Sequence, residues 1–545
     1  MRRPSRDPGR ALFRPLRAAA LTLGLATGLV VDLALRPGES LAEERMQDEA
    51  DASPPTSAPT SDAGELDDLM GGFEDDFDAT ALGSPAPDGS TLPGPEWISK
   101  LPFGDWIRRN VDLSGSIASG AVVSYLDHDA AHGDRPTSPT DPDFPDQLGR
   151  SSDFGGLTRL DLDGFLQLDV KLPRDWLLRA EALGWYDFAY RIKGRGDYGG
   201  PVLDVYEWQA DAGEVYLGGP IHDRVDLTIG RKIVNWGRSD TFRIVDVVNP
   251  LDNKEPGLVD IEDLRRPRTM AKLDASSGPW TAEALAVLET RFDRNPPPGS
   301  DFYPNLSRFA QAPGLIVTFP TDDESNFSRK PGFAGRFEGN FSGWDFGLFG
   351  AWVDETSRVL DVEPATGARL EGNRYGMVGA AGNVTRGAWL AKFELAWLTD
   401  VRMLRPRAVG PLPFWSDDKQ RLDSMLGLEW YGPDSLTVAL EIVNRQWLDL
   451  PKSRVLLEFF EQSTFETGLR ISRPFFRERL DVTLLGVVFG ERAQDGGLVR
   501  ASGEWELTDS WKVEGGWLAF IGGPDKGIGN WDDNDRVYLE LKYSF

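Results

Sequence analysis

Apolar and polar residues alternate along segments of ten or more residues in much of this chain. Between residues 160 and 172, one set of alternate positions carries Leu160, Leu162, Leu166, Leu168, Val170 and Leu172, and the other set carries Asp161, Asp163, Gln167, Asp169 and Lys171. Successive side chains of a β-strand point to opposite faces, so each segment predicts a strand with one apolar and one polar face. The pattern recurs at 436–442, 480–488, 499–507 and 536–545. Strands of this length suit a bilayer better than a soluble sandwich.

The connections between these segments alternate between short and long. Eight short turns, such as Pro173–Asp175 and Thr508–Ser510, separate nine longer polar loops. These connections join eighteen strands and place both ends of the barrel on one side. We therefore predict an all-β fold, a single transmembrane antiparallel β-barrel of about 18 strands, within a range of 16–20. Five tryptophans beside short turns fit an interfacial girdle: Trp176, Trp280, Trp344, Trp389 and Trp511.

The pattern of residues 1–42 predicts a secretory signal. Several arginines precede an apolar stretch from Ala18 to about Leu35, and Ser40-Leu41-Ala42 supplies small residues at a cleavage position. A retained membrane anchor is the alternative interpretation. No later apolar run is long enough for a transmembrane helix, so a membrane-embedded mature chain must be a closed barrel.

Residues 43–93 are rich in Pro, Ser, Ala, Asp and Glu, a composition that cannot bury enough apolar surface to fold alone. We predict a disordered acidic periplasmic tether there. Within it, apolar residues recur at helical spacing: Leu66, Leu69, Met70, Phe73 and Phe77. These residues predict either a docking motif for a periplasmic transport partner or a solvated tether. Residues 94–109 form an amphipathic aromatic segment expected at the periplasmic mouth, and 110–545 form the barrel.

Composition excludes several classes of function. The net charge of −28 disfavours nucleic-acid binding, and the absence of cysteine removes thiolate chemistry and disulfides. Only His128, His132 and His222 could serve histidine-based catalysis, and no nucleophile-elbow pattern occurs. We expect no catalytic site, cofactor or metal. The acidic outer loops, 127–156 and 522–535, could hold Ca²⁺, but a solvated surface is the favoured interpretation.

The third outer loop, about 237–266, differs from the others because it is partly apolar. It follows a strand predicted to end at Trp236-Gly237 and contains Phe242, Ile244, Val245, Val247, Val248 and Leu251. A loop with apolar content packs against something, and in a wide barrel this is the inner wall. We therefore predict that the loop folds inward and constricts the pore. The predicted constriction residues are Arg231, Trp236, Arg238, Asp240, Arg243, Asp246, Asn249, Asp252, Arg265 and Arg266.

The same region carries a family resemblance. Gly230–Ser239 reads G-R-K-I-V-N-W-G-R-S, and the elements Asn249–Asp252 and Pro256–Pro267 follow. Together they resemble the signature of the outer-membrane family catalogued as domain of unknown function 1302, which typically has G-R-Q, W-G-E-S, N-P-x-D and P-G-x-E-x-K. This chain departs with Lys232, Arg238 and Asp260–Glu262. The opening also resembles alginate-export porins. The resemblance implies a porin-like barrel whose substrate is not settled.

The last ten residues, Arg536–Phe545, alternate and finish on an aromatic residue. They resemble the closing strand of bacterial outer-membrane barrels, in which a terminal aromatic residue helps the assembly machinery to recognise the chain. We therefore predict that Tyr543 and Phe545 form the assembly signal. The strand is expected to pair with the first one, near residues 110–125, and so to close the barrel.

A channel for solutes in the bacterial outer membrane is the favoured function. An export or lipid-transfer barrel, coupled through the acidic tether to a periplasmic or inner-membrane machine, is the alternative. An outer-membrane enzyme and a secreted soluble all-β protein, such as a propeller, are less favoured. The expected partners are outer-membrane lipid and the barrel-assembly machinery. The sequence leaves the solute, the direction of transport and the choice between monomer and trimer open.

Overall fold

The computed structural model describes most of the chain from Gly104 onward. The described residues are 104–126, 154–260, 263–297, 299–303, 317–318, 326–363, 367–406, 414–448, 450, 461–523, 531–532 and 534–545. The predicted signal, the tether with its docking residues and most of the 94–109 segment lie outside them, as does most of the first outer loop.

Eighteen strands form one closed antiparallel sheet, which confirms the predicted fold class and strand number. The barrel strands are β1 (Val111–Ser124), β2 (Gly156–Leu172), β3 (Trp176–Asp187), β4 (Trp208–His222), β5 (Val225–Lys232), β6 (Arg268–Ser277), β7 (Trp280–Thr290), β9 (Asn326–Phe341), β10 (Trp344–Asp354), β13 (Arg374–Arg386), β14 (Trp389–Pro406), β15 (Phe414–Tyr431), β16 (Thr437–Leu448), β17 (Ser463–Phe475), β18 (Leu480–Phe489), β19 (Gly497–Thr508), β20 (Trp511–Ile521) and β21 (Arg536–Ser544). Val317–Thr318 (β8), Val359–Glu363 (β11) and Gly367–Glu371 (β12) form a separate small sheet.

The first and last strands close the barrel. β1 pairs with β21 in antiparallel register from Ser116↔Ser544 to Ser124↔Arg536. Beyond the last ladder pair, Gly115 and Phe545 exchange two backbone hydrogen bonds of 3.0 Å each. The pairing confirms that Arg536–Phe545 is the closing strand and removes the free edge that an open sheet would expose.

The two faces of the strands divide as the alternation predicts. Leu162 and Leu166 of β2 point outward and are 49% and 43% exposed, whereas Asp161 points inward and is buried. The outward positions of the other strands are also rich in large apolar residues, including Trp280, Trp344 and other members of the predicted girdle. An apolar exterior around a closed polar interior is the architecture of a transmembrane barrel. It excludes the soluble propeller.

The described part of the chain contains three short α-helices besides the barrel strands. α1 (Gly104–Asn110) leads directly into β1 at the short-turn end, and it overlaps the end of the predicted amphipathic segment. α2 (Ala189–Lys193) and α3 (Gly200–Tyr206) lie in the second outer loop. Among the described residues, no helix is both long and apolar enough to span a membrane.

Two predicted boundaries were wrong. β4 continues through His222, so the turn predicted at 219–223 shrinks to the residues between β4 and β5. β5 ends at Lys232 rather than at Trp236, because other partners take the next backbone groups. Glu214 accepts a hydrogen bond from the Ile233 amide at 2.7 Å, and the Asn249 side-chain oxygen accepts one from the Val234 amide at 2.8 Å. The chain therefore leaves the wall early.

Candidate functional site

The third outer loop, residues 233–267, is here called loop 3, and its described residues, 233–260 and 263–267, lie inside the barrel. Its side chains Trp236, Ile244, Val245 and Val248 are at most 2% exposed. They belong to one buried cluster with inward-facing residues of the wall, among them Phe349, Val353, Met377, Ala396, Met425 and Val443. Burial of this apolar surface holds the loop against β10 and β13–β16. The apolar residues of the loop thus pack against the inner wall of the barrel.

One buried carboxylate of the wall binds the backbone of loop 3. Glu394 of β14 is 1% exposed and accepts three hydrogen bonds, from the amides of Arg238 (2.5 Å), Ser239 (2.8 Å) and Val245 (3.1 Å). A turn of backbone inside a barrel needs partners for its amides, because unpaired buried amides are costly. Glu394 supplies these partners from a position more than 140 residues away in the sequence.

A second group of charges fixes the same turn. Glu441 of β16 accepts hydrogen bonds from the Ser239 hydroxyl (2.6 Å) and the Asp240 amide (3.1 Å). The buried Lys392 ammonium lies between Glu441 (3.0 Å), Asp240 (2.7 Å) and Glu429 (2.5 Å). We call Lys392, Glu394 and Glu441 the clamp. Its members face the lumen from β14 and β16, on the two sides of β15.

The Arg238 guanidinium extends the contact to two further strands. It pairs with Glu338 of β9 at 2.8 Å and with Asp345 of β10 at 3.0 Å. Burial by itself lowers the pKa of Arg238, but the two carboxylates outweigh that effect and raise it. Arg238 is therefore a permanent cation, and it ties the beginning of loop 3 to the wall.

The second half of loop 3 crosses to the other side of the lumen. Its base is bridged by backbone hydrogen bonds from Asp252 to Leu264 (2.8 Å) and from Arg266 to Pro250 (2.7 Å). At the tip, Asp260 pairs with Arg500 of β19 and, at 3.1 Å, with Arg470 of β17. Burial alone raises the pKa of Asp260, but these two cations lower it below its usual value. The excursion from 252 to 264 thus ends on the wall opposite β5 and β6.

A third attachment joins this excursion to β2. Glu255 accepts a hydrogen bond from Arg159 at 2.8 Å, and Arg159 also pairs with Asp161 at 2.8 Å. Burial alone would raise the pKa of Glu255, but Arg159 and Lys254 lower it, so Glu255 is ionised. Loop 3 is consequently held at the clamp, at Asp260 and at Glu255.

A cavity of about 290 Å³ remains beside loop 3, and we call it the main chamber. Residues of loop 3 between 252 and 259, together with Asp263 and Leu264, form one side, and the inward faces of β21, β1, β2 and β3 form the other. Eight carboxylate and four basic side chains line it, together with six aromatic ones. The aromatic lining residues are Phe154, Phe165, Trp185, Tyr190, Tyr206 and Phe302. The chamber runs from outer-loop residues down to Lys542, so it follows the barrel axis.

A second cavity of about 290 Å³, here called the outer recess, lies on the other side of loop 3 near β13–β16. Arg243 and Asp246 of the loop face Arg421, Asp423 and Arg445 of the wall across it. Glu355, which follows β10, also lines it. Burial raises the pKa of Glu355 to about 7, so its charge changes near neutral pH.

Residues 110–545 match the model of a family described as a protein of unknown function (DUF1302). The match spans the whole barrel, including loop 3. The chain belongs to the DUF1302 family. This confirms the family suggested by the G-R-K-I-V-N-W-G-R-S segment. No curated protein matches the chain.

Several solved structures are similar to this DUF1302 barrel. OccAB3 of Acinetobacter baumannii is 9% identical with a TM-score of 0.44, and the similarity covers 80% of this chain and 99% of that one. OccK2 of Pseudomonas aeruginosa is 12% identical with a TM-score of 0.42, covering 80% and 96%. OmpF of Salmonella typhi is 9% identical with a TM-score of 0.38, covering 80% and 98%.

The predicted constriction residues occupy different environments in the barrel. Asp252 lines the main chamber, and Arg243 and Asp246 line the outer recess. The Asp240 side chain is 43% exposed beside Lys392. Trp236 lies in the buried cluster and donates a hydrogen bond to Glu283 at 2.7 Å.

The remaining predicted residues mainly contact other protein groups. Arg265 pairs with Asp246 at 2.8 Å, and Asn249 donates to the Arg266 carbonyl at 2.9 Å. The Arg231 guanidinium lies 3.5 Å from Asp211. Their role at a constriction stays a prediction.

Sequence reasoning missed the wall residues that hold loop 3. Lys392 and Glu394 belong to the segment W-L-A-K-F-E-L-A-W, in which they alternate with outward-facing Phe393 and Leu395. Charges set between lipid-facing residues indicate lumen-facing positions. That signal was available, but the sequence does not show which loop such charges contact. Among the described residues, no group of three or more His, Asp and Glu side chains is arranged to hold a metal ion.

Proposed function

We propose that this DUF1302 protein is a porin-like channel of the bacterial outer membrane in which loop 3 constricts the pore. One observation carries the proposal. Loop 3 is attached to walls on opposite sides of the lumen and still leaves the main chamber open beside residues 252–264. A loop fixed in this way narrows the passage without filling it, and charged side chains at the narrow point select solutes.

The charge of the chamber sets the expected selectivity. Eight carboxylates against four basic side chains produce a net negative lining. In a narrow space with low-dielectric walls such a field concentrates cations and repels anions. The channel is therefore cation-selective in dilute salt, and the preference weakens as salt screens the lining.

The absence of native cysteine permits a direct test. Asp163→Cys places a thiol in the main chamber, and Leu162→Cys places one on the lipid face of the same strand. In planar bilayers, a positively charged methanethiosulfonate reagent should lower the KCl current of Asp163→Cys several-fold and leave Leu162→Cys unchanged. Equal responses of the two variants, or no KCl current from the parent protein, would reject the proposal.

An export or lipid-transfer role remains the second candidate. It is supported by the sequence pattern of Leu66, Leu69, Met70, Phe73 and Phe77 in the acidic tether, which a simple diffusion channel does not need. A peptide of residues 65–77 should then retain a periplasmic transport protein, and a control peptide with Leu69 and Phe73 changed to serine should not. Identical results with both peptides would eliminate this candidate.

A further inference from the structure

We infer that the main chamber binds organic cations, that is, ammonium compounds carrying an aromatic or alkyl group. The inference rests on the proposed channel and names its substrate class. Aromatic rings and carboxylates share this cavity, and an organic ammonium needs both kinds of group. Small inorganic cations would gain little from the aromatic walls.

One contact within the protein shows how an ammonium group fits this cavity. The Nζ atom of Lys254 lies 3.5 Å from the centre of the Trp185 ring. Its nearest ion-pair partner, Asp252, is 3.9 Å away, so the ring is the closer contact. An ammonium over a tryptophan face is stabilised by the ring quadrupole, most strongly where water is excluded. Lys254 therefore marks a cation position, which a solute ammonium can take when the lysine moves aside.

Two carboxylates of the wall are available to such a solute. Asp163 and Glu540 line the chamber, and among the described residues neither has a hydrogen bond or an ion pair. Asp161 differs because Arg159 binds it at 2.8 Å. Unpaired carboxylates in a confined space favour the entry of a cation that neutralises them.

On β1, the strand between these carboxylates, three successive inward-facing residues are small: Ser116, Ala118 and Gly120. Ala118 pairs with Asp163 on one side and with Lys542 on the other, and Gly120 pairs with Asp161 and Glu540. The wall is recessed at Ser116 and Ala118, whose small side chains line the chamber, whereas the Asp161 carboxylate covers Gly120 and accepts a hydrogen bond from its amide at 2.9 Å. The recess leaves space for an apolar group next to the charged groups, which fits an ammonium with a hydrocarbon substituent.

Equilibrium dialysis of the purified full chain in detergent tests the inference independently of conduction. Radiolabelled benzylammonium is the probe, and benzoate is the anion of matched size. We expect benzylammonium to bind and benzoate not to bind. Trp185→Ala should weaken benzylammonium binding about 3- to 30-fold, the range of a partly or fully desolvated cation–π contact. Lys254→Met should strengthen it several-fold, because it removes the competing ammonium.

Trp208→Ala is the matched control, since Trp208 is 58% exposed outside the chamber. It should bind benzylammonium as the parent does. Equal binding of benzoate and benzylammonium, or equal effects of Trp185→Ala and Trp208→Ala, would overturn the inference. If Trp185→Ala does not fold, Lys254→Met serves as the test variant. Benzylammonium binding by Lys254→Met that is unchanged or weaker than that of the parent protein then counts against the inference. If the protein conducts KCl current but does not bind benzylammonium, the inference is refuted while the proposed channel function is still supported.

Discussion

Glu394→Gln tests whether the clamp holds loop 3 against the wall. The carboxylate accepts hydrogen bonds from the amides of Arg238, Ser239 and Val245. A glutamine keeps one oxygen for two of these amides but turns an NH₂ group towards the third. Losing one bond to a buried donor costs about 1–3 kcal/mol, and replacing two charge-assisted bonds by neutral ones costs about 1 kcal/mol each. The attachment of the loop should therefore weaken by about 3–5 kcal/mol.

Hydrogen–deuterium exchange of the protein in detergent measures this change. The amides of Ser239 and Val245 should exchange roughly two to three and a half orders of magnitude faster in Glu394→Gln, since tenfold corresponds to about 1.4 kcal/mol. Glu504→Gln is the matched control, because Glu504 pairs with Lys512 at 2.8 Å and is 39% exposed. Unchanged protection of the loop amides in Glu394→Gln, or equal acceleration in the control, would refute the clamp.

Three further predictions concern the pore and the closure of the barrel. Because the pKa of Glu355 is about 7, its ionisation between pH 6 and 8 should increase cation selectivity in reversal-potential measurements, and Glu355→Gln should flatten that profile. Between pH 4.5 and about 7, Glu355 is ionised in the unfolded chain but still protonated in the folded protein. The free energy of unfolding should therefore fall as pH rises through this range. Ala118→Trp fills the recess of the main chamber and should lower single-channel conductance by about half, whereas an unchanged conductance would place the pore elsewhere. Gly115→Ala puts a methyl group 2.6 Å from the Phe165 carbonyl and should destabilise closure by about 1–3 kcal/mol in urea unfolding, while Gly350→Ala, which meets nothing within 4 Å, should not.

The barrel could be predicted well from the sequence because the two faces of a strand depend only on neighbouring residues. Each outward leucine and inward aspartate of β2 is set by the two-residue period and needs no knowledge of distant contacts. Strand ends were less certain. The exit of the chain at Lys232 depends on Glu214 and Asn249, whose side chains take the next amides. No local pattern around Lys232 contains that information.

The site was predictable only in outline. The apolar residues of loop 3 indicated inward folding, because such residues avoid water. Their partners could not be derived in the same way, since Glu394 and Glu441 reach the loop only through the register of the whole sheet. The charges of the loop indicated only part of the lining of the cavities, to which Asp252, Arg243 and Asp246 belong. Arg238 and Arg265 mainly form ion pairs with other protein groups, while Asp163 and Trp185 of the wall line the main chamber.

The pattern of attachment predicts that loop 3, the proposed constriction, is fixed and does not move as a gate. A gate needs one free edge about which it can swing, but loop 3 is bound at the clamp, at Asp260 and at Glu255. These three contacts lie on β14 and β16, on β17 and β19, and on β2, so any rigid movement of the loop breaks at least one of them. Removing one partner of a buried ion pair costs about 3–5 kcal/mol, which makes such excursions rare. The parent channel should therefore conduct steadily, and current flicker should appear in Glu394→Gln together with the faster exchange of the loop amides.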